Sequence, residues 1–273
     1  MHRVMHRFVE RGMNRRSSED RYYYLSFDEK AVQKGHRYLS IMSDESTGVV
    51  IDVIEGRTKE SVDSLCNKLS QEQRDDVKTV CTDMWAPYIY GAKNYFKNAL
   101  HCHDNFHLVG YLNKAVDKVR KREVRSVELL KSTKYVWLKD FNNLTEKQRI
   151  IFQQIDRVNC EVAKAWRIKE NFRDIQFRQK SKEGAFFILA NWRRSAIQAN
   201  IPEITEVVNM FDRHFQGILN AIVTGANNAR AERVNGAIEE LKRIGRGYRN
   251  IQNFRIAILF FHGDLKGLPH KTQ

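Results

Sequence analysis

The sequence predicts a mixed α/β domain that carries a large all-helical block. Strand-forming segments crowd roughly the first hundred residues, and helical periodicity takes over after about residue 105. Three aspartates, Asp28, Asp83 and Asp104, each stand where a strand-like run gives way to something else. With 273 residues, 42% of them hydrophobic, the chain can bury one large core or two modest ones.

The first segment, "MHRVMHRFVERGMNRRSSED" (1–20), is charged throughout and reads as a basic helical lead-in; it has no apolar h-region and is not a secretory signal. "RYYYLSFDE" (21–29) is aromatic-rich and extended, its tyrosines read as strand packing. "HRYLSIMSD" (36–44) and "GVVIDVIEG" (48–56) follow, joined around the turn-like "DESTG", so three consecutive strands form an antiparallel meander. Val62, Leu65, Cys66 and Leu69 recur at helical spacing. "TVCT" then approaches Asp83, "YGAKNYFKNA" follows as helix, and "LHCHD" (100–104) is a last short strand.

Beyond this point the pattern is helical. Leu108, Leu112, Ala115 and Val119 form one stripe. Thr145 and Gln148 offer a capping box that opens a long helix with the stripe Ile151, Ile155, Val158, Val162, Ala165. Further helices are expected at 183–199, 203–223 and 229–244, the second of these just after Pro202. The expected organisation is a lead-in (1–20), a core (21–107), a helical insertion (108–226), returning core helices (227–262) and a tail (263–273).

A carboxylate at a strand tip is either the cap of the next helix or a metal ligand at a sheet edge. If the first and fourth strands are neighbours, Asp28 and Asp83 sit side by side and repel unless a divalent cation lies between them. The cluster "HCHDNFH" (101–107) offers zinc ligand types. Strand alternation, however, sends His101 and His103 to one face and Cys102 to the other, which disfavours that metal. The four cysteines include no C-x-x-C pair. Lys and Arg exceed Asp and Glu by 14 charges, an excess that suits a polyanion such as nucleic acid. No apolar run approaches the roughly 18 residues of a membrane span, and the scattered cysteines fit a reducing compartment such as the cytoplasm.

"FDEKAVQKGHRYLSIMSD", "GVVIDVIEGRTKES", "TDMWAPY", "HDNFHLV" and "AERVNGAIEELKRIGRGYRNIQNFRIAIL", in that order from about residue 20 to 262, resemble the DDE transposases of bacterial insertion sequences of the ISL-three family. The resemblance implies a ribonuclease-H-like mixed sheet with an α-helical insertion before the helix that brings the last acid. It implies that Asp28, Asp83 and Glu232 are the catalytic, metal-binding acids for Mg²⁺ (or Mn²⁺), two ions in number. The residues alone do not choose Glu232 over Glu239 or Glu240. Asn235 falls one turn beyond Glu232 on the same face, and Gly236 would permit a close approach. Asp104 and His107 form the D-x-x-H that the resemblance marks as auxiliary.

The implied partners are DNA, as transposon ends and as target, and further copies of the chain on that DNA. Arg120, Lys121, Arg122 and Arg125, then Trp192, Arg193 and Arg194, then Lys242, Arg243 and Arg246 are the expected DNA contacts. The basic residues would track phosphates and Trp192 would stack on an unpaired base, against the alternative that it is core. Trp85 is expected to pack over the strand end as a shield for Asp83. Relatives carry an N-terminal zinc-binding segment and a helix-turn-helix, for which these residues have no counterpart; the expectation is a truncated frame or a separately encoded recognition domain. Two rival readings share the fold: a nuclease or resolvase that cuts without joining, and a remnant that only binds DNA.

Overall fold

The computed structural model describes residues 2–17, 19–33, 37–156, 160–176, 181–226, 229–248 and 250–265. In chain order its elements are α1 (His2–Asn14), β1 (Tyr24–Gln33), β2 (Arg37–Asp44), β3 (Val50–Glu55), α2 (Lys59–Cys66), α3 (Gln71–Asp75), β4 (Thr79–Thr82), α4 (Ala86–Tyr95) and β5 (Leu100–His103). There follow α5 (Asn105–Glu123), α6 (Lys134–Leu138), α7 (Glu146–Asp156), α8 (Glu161–Gln176), α9 (Lys182–Gln198), α10 (Pro202–Arg213), α11 (Phe215–Thr224), α12 (Ala229–Ile244) and α13 (Ile251–His262). Two compact units result, one of residues 1–104 with 227–273 and one of residues 105–226.

The first unit is a five-stranded mixed sheet in the order β3-β2-β1-β4-β5. β1, β2 and β3 pair antiparallel, as the short "DESTG" connection requires, whereas β4 and β5 run parallel to β1. The helical crossovers between these last strands make that direction possible. Alternation along β1 sends Leu25 and Phe27 into a core with Met42, Ile51, Val62, Leu65, Val80 and Tyr88. On the other face Leu39, Ile41, Val50 and Val53 pack with Val9 of α1, Ile238 of α12 and Phe254 and Ile258 of α13. The lead-in is therefore part of the core: Phe8 meets Phe260 edge-on at 5.1 Å. On the first face, Gly91 gives α4 room to lie against Val62, where a Cβ would collide.

The second unit is all helical. The capping box at Thr145 is formed, with Thr145 N donating to Gln148 Oε1 at 3.1 Å and Gln148 N to Thr145 Oγ1 at 3.4 Å. The single long helix expected from this point is instead two, α7 and α8, and Val158 lies outside the described residues. A side chain from α5 starts the second of them: Glu123 accepts from the backbone N–H groups of Glu161 (2.8 Å) and Val162 (2.7 Å). The helix expected at 203–223 is also two, α10 and α11, because His214 leaves helical geometry at φ −114° and ψ 12°. No described helix is long and apolar enough to cross a membrane.

One buried ion pair ties α13 to the sheet. Asp52 is fully buried and accepts from Arg255 through Nε (3.1 Å) and NH2 (2.7 Å), while Arg255 Nε also reaches Val53 O at 2.8 Å. Removing one partner strands the other charge in the interior. Arg255→Met is therefore expected to lower unfolding free energy by about 3–5 kcal/mol. Arg37→Ala, at an exposed pair with Glu55, should cost under about 1 kcal/mol. Urea midpoints with unchanged m-values check both.

Candidate active site

Register builds the site. Phe27 of β1 pairs with Thr82 of β4, and Thr82 pairs with His103 of β5. The next residues along these three parallel strands are Asp28, Asp83 and Asp104, so three acids stand abreast at one sheet edge. Asp83 and Asp104 each lie one residue past their strand, and Asp104 N donates to Thr82 O at 2.8 Å. Asp28 does not end its strand, contrary to expectation. β1 runs on to Gln33 against β2, and what ends at Asp28 is its pairing with β4. The Cys81 thiol senses the same neighbourhood: burial pushes its pKa well up, and Asp104, Cys102, Glu45 and Asp28 push in the same direction.

Helix α12 faces this edge from one side of the sheet. Asn235 Nδ2 donates to Asp28 Oδ2, whose other oxygen accepts from Glu29 N at 2.7 Å. Lys30 pairs with Glu239 at 2.9 Å and donates to Asn235 O at 3.4 Å, and Lys242 donates to Ala31 O at 3.0 Å. Residues 235, 239 and 242 thus form the β1-facing stripe of α12. Glu232 continues that stripe one turn earlier and is exposed. At the helix start Arg230 donates to Glu45 O at 3.0 Å, so Glu232 lies between the contacts made at Glu45 and at Asp28. Gly236 has open space where a Cβ would be, so it serves no close approach here.

Every donor in the predicted set is a carboxylate oxygen, which is the chemistry of Mg²⁺ or Mn²⁺. Among the described residues, however, no three His, Cys, Asp or Glu side chains are gathered as a metal cluster. Local donors hold the acids instead: Asp28 as above, and Asp83 through Trp85 N, which donates to its Oδ1 at 2.9 Å. In the "HCHDNFH" segment the rings of His101 and His103 meet edge-on at 4.6 Å, with Cys102 buried. Asp104 is buried, whereas His107 lies in the helical unit, half-buried and edge-on to Phe106.

The expected DNA contacts divide. Within the helical unit Arg120 and Lys121 pair with Asp117 (2.8 and 2.9 Å), Arg122 with Glu203 (2.8 Å), and Arg193 with Asp212 (2.7 Å). Arg120 is buried besides, while Arg125 and Arg194 are exposed. Trp192 corrects the expectation of base stacking. Its ring packs between Phe172 and Phe211, with centroids 4.9 and 5.8 Å away, and its Nε1 donates to Ile168 O, which makes it core. On the sheet unit Arg243 pairs loosely with Glu240 at 3.5 Å, Lys242 is occupied as described, and Arg246 is exposed.

Two features escaped the sequence reading. Trp85, expected to pack over the strand end, is 39% exposed. Its ring lies 4.6 Å from the Arg57 guanidinium, which also lies 3.9 Å from the Tyr38 ring and pairs with Glu29 at 3.0 Å. Glu45, read as a turn residue, is the second. Burial raises its carboxyl above the usual glutamate range, the Ser26 hydroxyl and the Ala231 N–H oppose that, and the Asp104 charge adds to it. Glu45 had no periodicity or motif to mark it, and the "TDMWAPY" motif that contains Trp85 does not show its contact with Arg57.

A mixed sheet with three aspartates at the carboxyl ends of its parallel strands is consistent with the transposase resemblance read from the sequence. Comparison with known families agrees: residues 25–258 match the model described as Transposase, of the ISL-three DDE type. The chain belongs to that family of DDE transposases. It is similar to the transposase for insertion sequence element IS1001 of Bordetella parapertussis, at 24% identity over 86% of the chain and 60% of the relative. The transposase for insertion sequence element IS1557 of Mycobacterium tuberculosis (strain CDC 1551 / Oshkosh) is 25% identical over 90% of the chain and 61% of the relative. The chain thus spans about three fifths of the length of these relatives.

The raised Glu45 has a consequence for stability. A carboxyl whose folded pKa is raised binds its proton more tightly in the folded state. The contribution of Glu45 to stability is then fully present at low pH and is lost as pH climbs from the ordinary glutamate range through the folded value. Glu45→Gln should flatten that fall, as thermal midpoints recorded across this range will show.

Proposed function

We propose that the chain is the catalytic region of a DNA transposase with a ribonuclease-H-like core, in which Asp28, Asp83 and Glu232 hold one or two Mg²⁺ (or Mn²⁺) ions. The observation that carries the reading is the register that sets Asp28 beside Asp83 on neighbouring parallel strands. Two carboxylates so close suit a shared divalent cation. Bound there, the ions would lower the pKa of an attacking water and neutralise charge on the phosphoryl group.

The protein's own part is orientation. Asn235 fixes the Asp28 carboxylate and the Trp85 N–H fixes that of Asp83. α12 is fastened to β1 at Lys30 and Ala31, which supports a role for its Glu232 as the third acid. The reaction is phosphodiester cleavage at an element end, which releases a 3′-hydroxyl, and then attack of that hydroxyl on target DNA. Both are in-line displacements that need no covalent protein intermediate. The net charge of +14 suits a DNA substrate. Assembly as a homo-oligomer on DNA, and reading of the element ends by a segment beyond these residues, belong to the same proposal, as does action in the cytoplasm.

Nicking of an element-end duplex should require Mg²⁺ or Mn²⁺ and fall by more than about 100-fold in Asp28→Ala, Asp83→Ala and Glu232→Ala, since loss of an outer-shell partner alone costs 10–100-fold. Asn235→Ala should fall within that smaller range. Undiminished nicking in any of the three acid variants contradicts the triad. Joining of a pre-cleaved 3′-hydroxyl end to plasmid separates a transposase from a nuclease on the same fold.

A further inference from the structure

Trp85 stands at the N-cap of α4, just before its first residue Ala86, where Ser, Thr, Asp or Asn ordinarily supplies a side-chain cap. It supplies none, and its own N–H is taken by Asp83 instead. Nor does it fill the core. Of the four tryptophans, Trp137, Trp166 and Trp192 are 0%, 8% and 7% exposed, whereas Trp85 is 39% exposed. An indole left in water is nonetheless held firmly. Its Nε1 donates to Arg57 O at 2.9 Å and its ring faces the Arg57 guanidinium at 4.6 Å. That guanidinium is fixed in turn by both oxygens of Glu29 (3.2 and 3.0 Å) and by the Tyr38 ring. Beside it, Lys59 Nζ lies 4.2 Å from the Tyr90 ring. Rigid aromatic surface among fixed cations, next to an acid of the proposed site, serves neither helix capping nor burial.

We infer that Trp85, braced by Arg57, is the stacking platform for an unpaired nucleobase of the DNA strand that enters the acid edge. This rests on the reading of the chain as a DNA-processing enzyme. Stacking accepts any base because every base has a π-face, so such a platform needs no sequence readout. A platform one residue-pair from Asp83 would hold the strand so that the neighbouring phosphate faces the carboxylates.

Intrinsic fluorescence isolates the platform, because the other three tryptophans are buried. The full chain is titrated with single-stranded oligothymidylate in Mg²⁺-free buffer, and binding is followed independently by anisotropy of a labelled copy. Expected are quenching of wild-type emission on binding, loss of that quenching in Trp85→Phe with affinity kept within a few-fold, and binding weakened roughly 5- to 150-fold in Trp85→Ala, the range of one base–aromatic stack. Residual emission from the buried tryptophans and the thermal midpoint report folding of each variant. Quenching that persists in Trp85→Phe, or unchanged affinity in folded Trp85→Ala, overturns the platform while leaving the DNA enzyme standing. Failure of the wild type to bind either this oligonucleotide or duplex DNA overturns both.

Discussion

Two aspartates set on neighbouring parallel strands at the end of a sheet are the constraint around which the first unit is arranged. The backbone imposes it: β4 lies against β1 in parallel register, and the residue after each last paired position is an aspartate. Nothing in folding favours that, since carboxylates on adjacent strands repel. Donors are spent on steadying them, with Asn235 and Glu29 N on one acid and Trp85 N on the other. A site of this kind costs stability that the two apolar faces of the sheet must offset.

The same constraint explains why α12 is bound to β1 by polar side chains as well as by Ile238. Lys30 with Glu239, Lys242 with Ala31 O, and Arg230 with Glu45 O fix its rotation and its height along the strand. Apolar contacts alone set rotation loosely, and a helix whose Asn235 must reach Asp28 needs both set. The buried Asp52–Arg255 pair does the comparable task for α13. Geometry in this unit is held by directional bonds at the places where position matters.

Much of this was legible in the sequence. Strand-forming runs marked all five strands, and the short "DESTG" link marked the antiparallel pair. Glu232 and Asn235 were chosen through family resemblance, and no periodicity separates Glu232 from Glu239. The structure then gives Glu239 a partner of its own in Lys30. What stayed hidden depends on contacts distant in sequence. Glu123 starts α8 from across the helical unit, Arg57 reaches forward to Trp85, and Asp117 and Asp212 claim arginines that composition alone offers to DNA. Trp192, weighed between base stacking and core, is core, and Trp85 is partly exposed, because a residue's immediate neighbours do not tell which helices will enclose it.

The central claim is that acids from β1, β4 and α12 converge on divalent metal. Iron(II) bound in place of Mg²⁺, with ascorbate and peroxide, cuts the backbone close to where it sits. The account predicts three clusters of cuts, around residues 28, 83 and 232, all suppressed by excess Mg²⁺. Cuts at the two strand ends with none on α12, or cuts that Mg²⁺ leaves untouched, would contradict it.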